Sequence, residues 1–130
     1  MNLKHVILVA LLTMSSVVHA EDLYVIAHRD LSITASEIED VFTGEKLFAG
    51  AVKLIPVENA GLQAAFVDKA IHISLDRYTT LWTKKSFRDG LTPPLVLSGD
   101  AEVVSFVKKT PGAIGYVSKP DPTVKTVQKY

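Results

Sequence analysis

The chain has 130 residues, with 14 basic and 14 acidic side chains, so its formal net charge at pH 7 is zero. This balance gives no reason to expect nucleic acid or an anionic membrane surface as a partner. Cysteine is absent, which excludes disulfides, thiol catalysis and thiolate metal sites.

The first twenty residues have the features of a secretory signal peptide. Lys4 gives a positive start, Val6 to Met14 is an apolar run, and Val18-His19-Ala20 places small residues before a cleavage site. The apolar run is too short to span a membrane. We therefore expect cleavage after Ala20, a periplasmic location, and one domain over residues 21–130.

Strands and helices alternate along the remaining chain. Leu23 to Ala27 is apolar throughout and predicts a first strand that is buried on both faces. A helix follows, because Thr34 and Glu37 have the spacing of a capping box and Gly44 is placed to end it. The predicted buried stripe of this helix is Ile38, Val41 and Phe42.

The next stretch predicts a strand, a tight turn and a second helix. Val52 to Val57 is the predicted strand, and Asn59 is a candidate N-cap for the helix. A turn of this kind aims backbone N–H groups and the positive end of a helix dipole outward, which is a common way to hold an anion. The alternative is a plain connection without a ligand, and the turn considered alone favours that alternative. The helix spacing is carried by Leu62, Ala65 and Phe66.

Two more helices and two strands complete the pattern. Ser74 can cap a third helix, and Gly90 to Pro94 interrupts the pattern after it. The remaining elements are a helix near Asp100 to Lys109 and strands at Ala113 to Val117 and Thr123 to Gln128. Alternation over this length predicts a small α/β domain with a largely parallel sheet.

The apolar stripes also predict which residues form the core. On the third helix, Tyr78 and Trp82 are expected in the core and not on a stacking platform. The nearby basic residues Lys84, Lys85 and Arg88 are expected at a solvated helix end. One common core is expected to bring together Phe42, Phe66, Val107 and Ile114.

Two stretches carry a family resemblance. SGDAEVVSFVKKTPGAIGYV, from Ser98 to Val117, and ITASEIEDVFTGEKLFAG, from Ile33 to Gly50, resemble parts of the second lobe of phosphate-type periplasmic substrate-binding proteins. The most specific piece is PGAIGYV, Pro111 to Val117. The resemblance implies a single lobe of a type 2 periplasmic binding protein, with a largely parallel sheet of about five strands and helices on both faces.

The chain departs from that family at the ligand turn. The family carries an arginine there, followed by a serine-glycine-threonine triplet. In this chain Gly61 matches the glycine, but Ala60 and Leu62 replace the hydroxyl residues, and no arginine lies between Arg29 and Arg77. A charge-assisted hydrogen bond contributes ~1.5–3 kcal/mol to binding, and this chain lacks several of them at the turn. One open lobe is therefore expected to bind phosphate weakly.

Two functions fit these observations. The first is binding of phosphate or another small oxyanion in connection with ABC-type uptake or sensing. Glu58 brings a negative charge to this site, whose predicted residues are Asn59, Ala60, Gly61, Leu62 and Gln63. The second is an interaction or adaptor module that kept the fold and lost the ligand site. The first is narrowly preferred because the glycine and the two amide side chains are present.

Other motifs do not support an enzyme. His28-Arg29-Asp30 spells the triplet of a kinase catalytic loop, but the other kinase motifs are absent. Neither His28 nor His72 has a second ligand at metal spacing. We expect no catalytic residues, no cofactor and no metal site. The expected partners are an inner-membrane transporter or an envelope protein, and a homodimer is possible.

Overall fold

The structure is a computed structural model and describes residues 22–130, so the predicted signal peptide lies outside the described residues. The strands are β1 (Tyr24–Ala27), β2 (Phe48–Ala49), β3 (Val52–Lys53), β4 (Ile55–Asn59), β5 (Leu95–Leu97), β6 (Ala113–Val117) and β7 (Lys125–Lys129). The helices are α1 (Ile38–Phe42), α2 (Gln63–Phe66), α3 (Leu75–Asp89) and α4 (Asp100–Lys109). A 3-10 turn (Ala35–Glu37) leads into α1, and a π-helical turn (Val67–Ile71) extends α2. Over this range no helix combines the length and the apolar character that crossing a membrane requires.

Five strands form the main sheet in the order β5-β4-β6-β1-β7, and β2 and β3 form a separate hairpin. Strand β4 pairs in parallel with β5 and with β6. Strand β1 is antiparallel to both of its neighbours, β6 and β7. Four of the five strands therefore run in the same direction, which confirms the largely parallel sheet predicted from the sequence.

Helices cover both faces of this sheet, as predicted. One face, which we call the aromatic face, packs against α1, α2 and α3 and contains Phe42, Phe66, Tyr78, Trp82 and Tyr116. The opposite face, which we call the valine face, packs against α4 and contains Ile26, Val57, Val103, Val107, Val117 and Val124. Successive residues of a strand point to opposite faces, so the sheet itself keeps the two clusters apart.

The prediction of one common core is therefore wrong. Phe42, Phe66 and Ile114 lie together on the aromatic face, whereas Val107 lies on the valine face. The apolar stripe of α4 was predicted correctly, since Val103 and Val107 are its buried residues. An apolar stripe shows that a helix packs on something, but the sheet topology decides on which face it packs.

The strand before the ligand turn differs from its prediction. The predicted strand Val52–Val57 is divided into β3 and β4, and β4 continues to Asn59. Asn59 is therefore a strand residue and not the N-cap; Leu62 occupies the N-cap of α2 without a side-chain hydrogen bond. Strand β5 was not predicted; it has three residues and directly follows Pro93-Pro94.

The predicted ends of two other helices are confirmed. The N–H of Thr34 donates to Oε1 of Glu37 at 3.0 Å, as in a capping box. Gly44 ends this first helical segment with φ of 75°, in the left-handed region that favours glycine. At the start of α3, Ser74 Oγ accepts a hydrogen bond from the N–H of Arg77 at 3.2 Å. These bonds are local in sequence, which is why the sequence predicts them.

The buried side of α3 fixes the end of α1. The Tyr78 hydroxyl donates to the carbonyl oxygen of Phe42 at 2.9 Å, and the Trp82 indole N–H donates to the same oxygen at 3.1 Å. Both aromatic residues are core residues, as predicted. One turn further along, Lys85 donates to the carbonyl oxygen of Thr43. Lys85 is therefore buried, and the prediction that it lies at a solvated helix end is wrong. Its ammonium group supplies a donor to the carbonyl groups that a helix C-terminus leaves unpaired.

Candidate functional site

The predicted ligand turn follows β4 at the edge of the sheet where the parallel strands β4, β5 and β6 end. In open α/β sheets, ligands bind outside such carboxyl ends. Within the turn, Ala60 and Gly61 are exposed, Leu62 is buried and Gln63 is half-buried. The turn is therefore accessible to solvent at the edge where this class of fold places a ligand.

Two of the predicted donors connect the turn to the sheet. The side chain of Asn59 is buried, and its Nδ2 donates to Oδ1 of Asp100 at 2.8 Å and to the carbonyl oxygen of Tyr116 at 3.3 Å. The N–H of Ala60 donates to the carbonyl oxygen of Leu97 at 2.9 Å, which extends the pairing of β4 with β5. Neither donor can reach a ligand without breaking these bonds.

Two further donors are used within the turn itself. The N–H of Leu62 donates to the carbonyl oxygen of Asn59 at 3.0 Å. Nε2 of Gln63 donates to Oε2 of Glu58 at 3.0 Å. In the described part of the chain, the turn thus retains the backbone N–H groups of Gly61 and Gln63 for a ligand. The turn therefore has fewer donors available for a ligand than the sequence predicts.

An acidic residue at the start of α4 completes this edge. The Asp100 carboxylate accepts hydrogen bonds from the N–H of Ser118 at 3.1 Å and from its hydroxyl at 2.5 Å, as well as from Asn59. Three donors from two chain segments therefore converge on one carboxylate of the protein itself. The sequence analysis missed Asp100, because an acid in the first turn of a helix is common and carries no specific signal.

Glu58 places a second carboxyl group just inside the same edge. Its side chain is on the aromatic face, only 2% of the residue is exposed, and the Tyr116 hydroxyl lies 3.4 Å from Oε1. Burial raises the pKa of Glu58 to about 6, although the nearby polar groups of Tyr78, Gln63 and Tyr116 lower it in part. Near neutral pH, this part of the domain therefore contains a buried negative charge.

Stacked rings fix the position of the tyrosine above Glu58. The rings of Phe66 and Tyr116 are nearly parallel, with centroids 4.0 Å apart, and Phe42 meets Phe66 edge-on at 4.6 Å. Such aromatic pairs contribute ~0.5–1.5 kcal/mol beyond the area that they bury. The group around Glu58 is consequently part of the core and not a mobile surface cluster.

A second feature is an exposed apolar region around the edge strand β5. We call it the β5 surface and define it as Leu47, Phe48, Phe87, Leu95 and Val96, which are between 43% and 88% exposed. Two grooves, of about 370 and 610 Å³, lie beside it and share Trp82, Pro93 and Pro94 in their walls. The sequence analysis missed this surface because its residues come from three separate segments.

The charged and polar groups of the described chain offer little for a metal. No three residues of the types His, Cys, Asp and Glu within residues 22–130 lie close enough together to hold a metal ion. Lys84 is exposed, and Arg88 donates to its neighbour Asp89 at 3.1 Å, so the predicted basic cluster is divided between solvent, an ion pair and the buried Lys85.

Comparisons with known proteins show a likeness of fold. No family model matches the chain, and no curated protein matches it at a significant level. A protein from Clostridium perfringens assigned as a phosphate ABC transporter substrate-binding protein, solved with bound phosphate, is similar with a TM-score of 0.58 and 19% identity. An ABC-type phosphate transport receptor from Vibrio cholerae is similar with a TM-score of 0.50 and 16% identity.

These two structures cover 84% of this chain, whereas the chain covers only 46% and 47% of theirs. The chain thus spans less than half the length of the structures that it matches. At identities below 20%, the likeness concerns the fold alone. It confirms the fold predicted from the sequence, a single lobe of a type 2 periplasmic binding protein.

Proposed function

We propose that this chain is an exported module with a binding-protein fold that acts by contacting a protein partner in the cell envelope, and not by holding a small anion. One observation carries the proposal: the side-chain amides that would bind an anion are used inside the protein. Asn59 donates to Asp100, and Gln63 donates to Glu58. The edge of the sheet that binds ligands in this class of fold is therefore occupied by the chain's own acidic residues.

An anion bound at this edge would have to displace hydrogen bonds that the protein already makes. A hydrogen bond to a charged group contributes ~1.5–3 kcal/mol, so moving Asn59 from Asp100 to a ligand would lose about as much as it gains. The Asp100 carboxylate would then remain near the ligand, and two like charges at this edge repel each other. An anion at this edge would thus gain little beyond the bonds from Gly61 and Gln63.

The β5 surface supports the second half of the proposal. Exposed apolar residues are common as single residues, but a cluster of aromatic and aliphatic side chains beside grooves is typical of a protein contact. Phe87 is 88% exposed although it lies on a well-formed helix, α3. A protein partner would remove this ring from water.

Site-specific cross-linking in cells tests the proposal. A photo-reactive amino acid at Phe87, in the full 130-residue chain, should give one discrete adduct of higher mass. The matched control is the same amino acid at Thr126, which is exposed on the opposite edge strand, β7. Position 87 giving no more product than position 126 would contradict the proposal.

A second candidate function is weak binding of phosphate or another oxyanion, linked to uptake by a transporter. It is supported by the likeness of fold to a protein solved with phosphate and by the N–H groups of Gly61 and Gln63 in an exposed turn. On this hypothesis the site comprises the five turn residues from Asn59 to Gln63. Affinity would be weak and salt-dependent, because the site is open to solvent.

An amide chemical-shift titration with phosphate and with sulfate separates the two candidates. Docking without an anion site predicts no saturable shift at residues 59–63 up to millimolar concentration. Oxyanion binding predicts shifts at Gly61 and Gln63 that Gly61→Val abolishes and Glu58→Gln strengthens, since the glutamine removes a nearby negative charge. Saturable shifts with both of these responses would replace the first candidate by the second.

A further inference from the structure

The two edge strands of the main sheet are protected to different degrees. Strand β7 has lysines at both ends, and Lys129 lies 3.8 Å from the Asp22 carboxylate and 5.5 Å from the ring of Tyr24. Residues 91–99, which include β5, contain no charged side chain. Natural proteins commonly place charges, above all lysine, on edge strands to prevent pairing with another chain. Strand β5 lacks this protection.

The backbone of β5 offers one donor and one acceptor to a neighbour. The carbonyl oxygen of Leu97 accepts from Ala60, so Leu97 faces β4. The N–H and C=O of one strand residue point to the same side, and the side alternates along the strand. Those of Val96 therefore point away from β4, where the sheet order places no further strand of the described chain. The two prolines before β5 limit any pairing to a short segment around Val96.

The apolar area around Val96 is sufficient for a specific contact. Aromatic side chains bury roughly 150–250 Å² each and aliphatic ones less, and the five residues of the β5 surface are 43% to 88% exposed. Covering their exposed parts would therefore bury on the order of 1,000 Å² for two copies together. This is about the lower bound for a specific interface. Two positively charged side chains, Lys46 and Lys53, border the larger of the two grooves beside the β5 surface. Lys46 is paired with the Glu37 carboxylate at 3.1 Å.

We propose that the partner of the β5 surface is a second copy of this chain. In the dimer, Val96 pairs with Val96 of the second copy across a two-fold axis in antiparallel orientation. One donor and one acceptor on the same residue are self-complementary, so the pair exchanges two hydrogen bonds and joins two five-stranded sheets into one. The uncharged segment 91–99 can meet its own copy without like-charge repulsion. This inference rests on the proposed function and names its partner.

Sedimentation equilibrium of the chain recovered after expression of the full 130-residue sequence tests the dimer. Between about 1 and 300 µM, the mass should rise from one chain to two. Val96→Lys places two like charges at the two-fold axis and should raise the dissociation constant about tenfold or more. The matched control Thr126→Lys, on the β7 edge, should leave the dissociation constant unchanged.

Two further variants keep the test valid if Val96→Lys folds poorly. Val96→Pro removes the outward N–H, which the pairing with β4 does not use. Phe87→Ser changes a residue outside the sheet that is 88% exposed, and it should also weaken the dimer about tenfold. An amide spectrum of each variant checks the fold.

A single-chain mass at every concentration would overturn the dimer, as would folded variants at Val96 and Phe87 that associate as tightly as the unchanged chain. The cross-linking result distinguishes this failure from failure of the proposed function. A single-chain mass together with a specific adduct to another protein at Phe87 would exclude a second copy as the partner and would still support the docking function. A single-chain mass without any adduct would contradict both the dimer and the docking function.

Discussion

The aromatic face and the valine face lie on opposite sides of one sheet but differ in their chemistry. On the aromatic face, Phe66 stacks on Tyr116 and meets Phe42 edge-on, and the buried carboxyl group of Glu58 lies beside these rings. On the valine face, α4 packs directly on the sheet through small side chains, and the buried amide of Asn59 serves the start of the helix. The aromatic face therefore encloses a carboxyl group among its rings, whereas α4 packs on the valine face through aliphatic side chains.

Strand β6 shows how one segment serves both faces. All five of its residues are buried: Ile114 and Tyr116 contribute to the aromatic face, and Ala113, Gly115 and Val117 lie on the opposite side. A Cβ at position 115 would lie 2.8 Å from Cγ1 of Val103 and 3.0 Å from Cγ2 of Val57. Glycine is therefore required for α4 to approach the sheet, which gives a physical reason for the PGAIGYV motif. The comparison of the two faces can be tested by substitution.

The largest effect is expected on the aromatic face. Phe66→Ala removes the ring that contacts both Phe42 and Tyr116, and it leaves a cavity in the fully buried core. The free energy of unfolding, measured by urea titration, should fall by ~3–5 kcal/mol. A midpoint close to that of the unchanged chain would show that this ring does not organise the aromatic face.

The valine face should respond to added volume. Gly115→Ala forces α4 away from the sheet, and the free energy of unfolding should fall by ~1–3 kcal/mol. The matched control is Gly61→Ala in the exposed turn, where the nearest atom to an added Cβ would be Oδ1 of Asn59 at 3.8 Å. Urea titration should show the control to be nearly neutral, and equal losses at the two positions would contradict the close approach of α4.

The pH dependence of stability should reveal the buried acid of the aromatic face. The pKa of Glu58 rises from 4.5 to about 6 on folding, so the folded state holds its proton more tightly. Its contribution to stability is complete below about pH 4.5 and is lost as the pH rises through about 6, a change of about 2 kcal/mol. Glu58→Gln should remove this loss, and urea titrations at several pH values measure it.

Glu102 serves as the control for that experiment, because its pKa changes in the opposite direction. A hydrogen bond from the Ser98 N–H holds the pKa of Glu102 below 4.5. The contribution of Glu102 to stability is present above pH 4.5 and is lost as the pH falls through the pKa of Glu102 in the folded state. If Glu58→Gln and Glu102→Gln shifted the stability curve in the same direction, the account of the buried acid would be wrong.

The smallest effect concerns the tyrosine above Glu58. Tyr116→Phe keeps the stacked ring and removes the hydroxyl group that helps to stabilise the carboxylate. The pKa of Glu58 should therefore rise further, which a carbon-13 titration of its carboxyl group can follow. A lower pKa in the variant would show that the hydroxyl does not act on Glu58.

Much of the fold was predictable because its signals are local. The start of the first helical segment at Thr34, its end at Gly44 and the start of α3 at Ser74 each depend on residues within one or two turns of the chain. The strand-helix alternation and the motif at Pro111–Val117 together led to the single-lobe fold. Strand β5 was missed because three residues after two prolines form neither a run nor an alternation.

The candidate site was less predictable because its bonds join distant segments. The sequence predicts Asn59 and Gln63 as donors at the turn, but it does not indicate that Asn59 ends β4 and binds Asp100, 41 residues away. The Tyr116 hydroxyl meets Glu58 over a separation of 58 residues. A residue that supplies a hydrogen-bond donor is visible in the sequence, whereas the acceptor that uses this donor depends on the packing of the whole sheet.

The sequence alone determined where most of the helices and strands form, because caps, turn residues and apolar periodicity act within a few residues. The tertiary structure decided how those segments divide between the two faces of the sheet, since strand order sets which side each helix covers. It also decided that the amides of the ligand turn serve Asp100 and Glu58, and that Val96 faces an open edge. Each of these outcomes depends on which segments lie side by side, and sequence separation does not fix that arrangement.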